Sequence, residues 1–197
     1  MKLESYQSKA GAGPVIEDGS GRDLDFSAPV AEDGPWVHAL VAACPPLDQN
    51  SVYFNLIQCT HFADTCVAVR RGDRLVGWVS GHVPPAEPDV LFIWQVAVAQ
   101  EARGLGLGKR MIAHLLQRPA AKGARIIKTT ITPDNPASWG LFRSLAKDVG
   151  APMEDHPWFL GGVHLAAGHA PEHLVTIGPF EGPARPTLFT DPTQREG

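Results

Sequence analysis

From Arg103 to Lys109 the chain reads R-G-L-G-L-G-K, three glycines alternating with leucines between two cations. Residues without a Cβ let consecutive backbone N–H groups converge, and a helix starting there adds the positive end of its dipole. The chemistry open to such a loop is to hold an anion, above all a phosphate. Two familiar phosphate loops do not fit. A G-x-x-x-x-G-K-[ST] loop ending at Gly108-Lys109 would need its first glycine at Arg103 and its hydroxyl at Arg110. A G-x-G-x-x-G dinucleotide fingerprint would need a glycine at Lys109. The spacing that is satisfied is R-x-x-G-x-G, through Arg103, Gly106 and Gly108. A turn that only closes a strand–helix connection is the plainer reading, but it needs neither three glycines nor flanking cations.

The elements that must position this loop follow from hydrophobic period and turn signals. Leu91 to Val98 is apolar on both faces apart from Gln95, as in a central strand. After the glycines, Leu107, Met111, Ile112, Leu115 and Leu116 form one helical stripe that ends near Pro119. "ARIIKTTIT" then reads as a strand, so strand, helix and strand predict a right-handed parallel crossover. "ASWGLFRSLAKDVG" predicts a helix stopped by Gly150, and "HLVTIGPF" a last strand. Upstream, "EDGPWVHALVAAC" and "NSVYFNLIQCTHF" have helical spacing, the second with Asp48, Asn50 or Ser51 available as N-cap. "TCVAVRRGDRLVGWVSGHV" is two strand-like runs around Arg71-Gly72-Asp73, a hairpin signal. Antiparallel strands first and a crossover later predict an α+β fold with a mixed, mostly antiparallel central sheet flanked by helices.

Residues 1–24 and 181–197 are polar, rich in Gly or Pro and weakly periodic. They predict a disordered N-terminal arm and a flexible C-terminal tail around one domain at 25–180. A net charge of −4 over 197 residues argues against nucleic acid as a partner. No apolar run approaches the roughly 18 residues of a membrane span, and the N-terminus lacks the apolar stretch of a secretory signal. Cys44, Cys59 and Cys66 are odd in number and lack metal-type pairing, which fits a reduced, cytoplasmic compartment. His164, His169 and His173 lack conventional ligand spacing, so no metal is expected.

"ARGLGLGKRMIAHLL" resembles the acetyl-CoA pyrophosphate loop of the Gcn5-related N-acetyltransferases (GNAT), and "TPDNPASWGLF" is similar to their downstream N-x-x-A/S-x-x-L-Y/F segment. The resemblance implies the GNAT acyl-CoA fold, in which the central strand splays from its neighbour and hydrogen-bonds the pantetheine arm. It carries cofactor contacts onto Val96, Ala97, Val98, Arg103, Gly104, Leu105, Gly106, Leu107, Gly108, Lys109 and Asn135. It makes the backbone N–H near Val98 the oxyanion donor. One departure stands out. Many relatives have a tyrosine, thought to protonate the departing thiolate, where this chain has Phe142.

A narrower resemblance spans about residues 25–180. "PPLDQNSVYFNLIQCTHFADTC", "GHVPPAEPDVLFIWQVAV" and "TIGPF" resemble the L-2,4-diaminobutyrate acetyltransferases of ectoine biosynthesis. This implies acetyl transfer from acetyl-CoA to the 4-amino group of L-2,4-diaminobutyrate, and a homodimer. It carries the acceptor pocket onto Asp48, Tyr53, Trp94, His169 and Glu172. Asp48 and Glu172 would pair with ammonium groups, and Glu172 or His169 would be the base that attack by a neutral amine requires. Each has a plainer reading. Asp48 is equally suited to capping a helix, Tyr53 and Trp94 to packing in the core, and His169 and Glu172 to a solvated connector. Two further readings stay open: another small amine or polyamine as acceptor, and a catalytically silent acyl-CoA-binding module, to which Phe142 gives some weight.

Overall fold

Alternating apolar runs between Gly, Pro and Asx turns build one sheet in the computed structural model, which describes residues 15–17 and 23–181. The arm and tail expected at 1–14, 18–22 and 182–197 lie outside the described residues. The strands are β1 (Val15–Glu17), β2 (Asp23–Ser27), β3 (Cys66–Arg71) and β4 (Arg74–His82). β5 (Val90–Val98), β6 (Ile126–Ile131), β7 (Met153–Phe159) and β8 (Glu172–Ile177) complete them. Their order is β1-β2-β3-β4-β5-β6-β8-β7. Among the described strands only β5 and β6 run parallel, as a crossover requires; the other neighbours are antiparallel.

Two helices cover each face. α1 (Gly34–Ala42) and α2 (Val52–Thr60) bring Val37, Leu40, Val41 and Cys59 against Ala68, Trp78 and Ala97. α3 (Leu107–Leu116) and α4 (Pro136–Val149) bring Met111, Ile112, Leu115 and Leu145 against Val67, Val79, Leu91 and Ile127. With both faces covered, the central strands are apolar on both sides, which is why Leu91 to Val98 reads as a continuous run.

Two parts of the architecture depart from the sequence reading. The fold begins before residue 25: β1 pairs with β2 through Val15↔Asp25 and Glu17↔Asp23, and Leu24 and Phe26 are fully buried. That burial rests on only two apolar residues flanking Asp25, too short an alternation to stand out from a polar arm. β7 is an edge strand in a stretch to which the sequence reading assigned no element. It is exposed along most of its length, so burial imposes no alternation on "MEDHPWF".

Two irregularities in β5 shape the site. Its pairing with β6 stops after Val90↔Ile126, Leu91↔Ile127 and Phe92↔Lys128, so the two strands separate beyond Phe92. On the other side, Ser80 of β4 pairs with Gln95 and Gly81 with Ile93, which leaves Trp94 as an extra, bulged residue.

Candidate active site

The gap between β5 and β6 opens onto two cavities of about 490 and 320 Å³. Pro46, Leu47, Val96, Asn135 and Ser138 line both, so the two meet across a shared wall. Their charges are opposite. The larger is lined by Arg103 and Lys109 and by no carboxylate; the smaller by Asp48, Asp134 and Glu172 and by no Lys or Arg.

The larger cavity is built from the glycine loop. Gly104 and Gly106 have φ of +79° and +64°, a left-handed turn that favours glycine, and Gly106 is the N-cap of α3. The first turn of α3 therefore presents unpaired N–H groups beside the cavity. At Gly108 the need is for close approach: a Cβ there would lie 3.3 Å from Leu141 and 3.4 Å from Val96. Arg103 donates from Nε to the Val98 carbonyl at 3.2 Å, and Lys109 reaches Ser144 Oγ at 2.9 Å and Asp148 Oδ2 at 2.6 Å. Asn135 caps α4 by accepting from the Ser138 N–H at 3.1 Å, which fixes it in the shared wall.

Strand alternation decides which β5 amides face this gap. Ala99 N–H donates to Val76 O at 2.9 Å and Gln95 N–H to Ser80 Oγ at 3.2 Å, both toward β4. The amides of Val96 and Val98 then point the other way, into the opening left by β6. Ala97 has its backbone toward β4 and its side chain in the α1–α2 core, and it lines neither cavity. Leu105, the loop residue between the two left-handed glycines, also lies outside the lining. Of the residues carried over as cofactor contacts, these two are the ones outside the cavity lining. Val98 lines only the larger cavity, whereas Val96 lies where the two meet.

The smaller cavity gathers Asp48, Trp94, His169 and Glu172 from three separate stretches of chain. Asp48 does not cap α2; Ser51 does, accepting from the Phe54 N–H at 3.1 Å. Trp94 is not core but 48% exposed, turned outward at the bulge, where its ring meets Phe54 edge-on at 4.8 Å. The His169 Nδ1 lies 3.0 Å from the Ala170 carbonyl, so it carries the proton in the neutral ring and leaves Nε2 as an acceptor. Tyr53 is the exception. It is 72% exposed on α2 and outside the lining, because Phe54 is the residue that turns toward β5. Sequence reasoning missed Asp134 and Thr129 to Thr132, which border the gap that β6 leaves. Asp134 stood in the quoted "TPDNPAS" segment beside Asn135, and its carboxylate was the available signal. Phe142 is buried and lines this cavity without a donor. Among the described residues no group of three or more His, Cys, Asp or Glu is arranged to hold a metal ion.

A model of the acetyltransferase (GNAT) family matches residues 35–146. L-2,4-diaminobutyric acid acetyltransferase of Methylotuvimicrobium alcaliphilum is 49% identical over 158 residues, which are 80% of this chain and 92% of that one. The enzyme of the same name from Chromohalobacter salexigens is 49% identical over 161 residues, 81% of this chain and 83% of that one. Among solved structures, diaminobutyrate acetyltransferase EctA from Paenibacillus lautus, in complex with L-2,4-diaminobutyric acid and coenzyme A, superimposes with a TM-score of 0.77. It is 35% identical, and the match covers 81% of this chain and 97% of that one.

Proposed function

The chain belongs to the acetyltransferase (GNAT) family, and we propose from that premise that it transfers the acetyl group of acetyl-CoA to the 4-amino group of L-2,4-diaminobutyrate. The observation that carries this reading is the meeting of a basic, glycine-cradled cavity and an acidic one across Val96. The donor set suits coenzyme A: the α3 N-terminus, Arg103 and Lys109 for its phosphates, and the free edge of β5 at Val96 and Val98 for its amide-bearing arm. When bound, acetyl-CoA supplies the thioester whose carbonyl carbon accepts the amine.

The protein's own part is binding, deprotonation and charge stabilisation. Asp48, Asp134 and Glu172 attract the two ammonium groups of the acceptor, while Thr130, Thr132 and Asn135 offer neutral donors to its carboxylate. An ammonium cannot attack, so one proton must leave first. His169 takes it at Nε2, with Glu172 holding the ammonium beside it. The Val96 N–H faces the point where the cavities meet, and we assign it the oxyanion role expected of Val98. Phe142 has no phenol to protonate the departing thiolate, which leaves as the anion or takes a proton from water or another side chain.

A homodimer completes the proposal. Among the described residues β7 presents an unpaired edge, and Trp158, Leu160 and Val163 at its end are 48%, 42% and 72% exposed. Light scattering on the purified protein tests it, a monomer mass being the contrary result. A cytoplasmic site, where acetyl-CoA is at hand, fits the three free thiols.

Release of coenzyme A thiol from acetyl-CoA in the presence of L-2,4-diaminobutyrate, spermidine or L-lysine tests the reaction. Burial pushes the Cys59 and Cys66 thiols up to about 12, and Cys44, which lines the larger cavity, is the protein thiol to correct for. Saturable turnover with diaminobutyrate alone supports the reading. Preference for spermidine would keep the family and replace the acceptor. Acetyl-CoA binding without turnover would make the chain a silent binding module.

A further inference from the structure

Gln95 is only 4% exposed and is the one polar side chain buried on β5. Its backbone N–H is satisfied by the Ser80 hydroxyl at the bulge. Its side-chain nitrogen donates to the backbone carbonyl of Asp48 at 2.8 Å, across 47 residues of sequence. The amide orientation is fixed by chemistry, since only the NH₂ end can face a carbonyl. The other end, Oε1, is buried without a hydrogen-bond partner among the described residues. A buried amide with one end unsatisfied is destabilising compared with an apolar residue of the same size. Space-filling alone therefore does not account for glutamine here.

The bond's location supplies a reason. Asp48 lies in the irregular segment between α1 and α2, where neither helix nor strand fixes its backbone. The two residues before it, Pro46 and Leu47, line both cavities. We propose that Gln95 is a positioning residue: by tying the Asp48 backbone to β5, it holds the Asp48 carboxylate over the acidic cavity at a set distance from the strand that faces the thioester. Gln95 borders the acidic cavity, but its Oε1 is buried and its nitrogen is taken up by Asp48, so it contributes to acceptor affinity through Asp48. This rests on the acidic cavity being the acceptor site.

A double-mutant cycle tests it, with Gln95→Met, Asp48→Asn and the pair measured for KM of diaminobutyrate, KM of acetyl-CoA and kcat. Gln95→Met should raise the acceptor KM about tenfold, the scale of one hydrogen bond, and leave the acetyl-CoA KM unchanged. In the Asp48→Asn background it should add nothing further. A full additional effect in that background would mean that Gln95 meets the acceptor directly and would overturn the proposal. So would an unchanged acceptor KM, or an equal rise in both KM values, which marks general loosening of β5. If Gln95→Met fails to bind acetyl-CoA and so to fold, Gln95→Asn keeps the amide but falls one methylene short, and the same outcomes apply. Wild-type turnover with unaltered variants sinks only this inference; absence of wild-type turnover with diaminobutyrate sinks the functional reading beneath it.

Discussion

In the proposed reaction Arg103 and His169 would carry the two separable halves of the chemistry. Arg103 stands at the rim of the basic cavity, away from the acids, and its reach to the Val98 carbonyl places its charge beside the free edge of β5. Arg103→Glu should weaken acetyl-CoA binding about tenfold or more, through loss of one charge and gain of its opposite, with little change in acceptor KM. Calorimetric titration with acetyl-CoA reads this, and an equal loss on both substrates would remove the loop from its cofactor role. His169→Ala should lower kcat about 100-fold, the lower range for a positioned base, and leave acetyl-CoA affinity intact. A kcat within a factor of about two of wild type would move the base elsewhere, with Glu172 the first alternative. Both residues were candidates before the fold was known, though by different routes. Arg103 announces itself by charge and glycine spacing, whereas nothing local distinguishes His169 in "AGHAPEHL" from a solvated loop histidine, and only resemblance marked it.

At the scale of the elements, the helices were the most readable and the strand irregularities the least. α3 and α4 declare themselves by an apolar stripe and by glycine or asparagine at their ends. α2 offered three N-caps, and the structure selects Ser51, which frees Asp48 for the acidic cavity. Ser51→Ala should therefore reduce stability by about 1 kcal/mol in denaturant unfolding while leaving the acceptor KM in place. A rise in that KM instead would tie the cap to the site. The bulge at Trp94 left no mark in the sequence, because it is a property of register with β4 and not of β5 alone. Its consequence is functional. Trp94, Gln95 and Val96 all line the acidic cavity, which a regular strand, alternating its side chains, would not allow. Trp94 was carried over as a pocket residue against a plainer core reading, and it lines the cavity, whereas Tyr53, carried over with it, stands exposed outside the lining: neighbours in space decided both positions.

The whole molecule is a sheet covered on both faces and held open at one point, and its stability and activity draw on different residues. His114, on α3 and outside the lining of both cavities, packs against Phe26 at 5.6 Å between ring centroids. Burial, helped by the Arg118 charge, pushes it down from 6.5 to about 4. At neutral pH it is uncharged folded or unfolded. As pH falls below 6.5 the unfolded chain takes up a proton that the folded chain refuses until about 4, so stability should decline across that window. His114→Gln should flatten that part of the profile of unfolding midpoint against pH; an unaltered slope would place the titration elsewhere. The central claim is narrower than stability and concerns one bond. Incubating the protein with acetyl-CoA labelled with ¹³C in the acetyl group and L-2,4-diaminobutyrate, then reading the product by NMR, identifies the nitrogen that has become an amide. The account predicts a single amide at the 4-nitrogen. An amide at the 2-nitrogen, a mixture of the two, or label remaining on coenzyme A would contradict it.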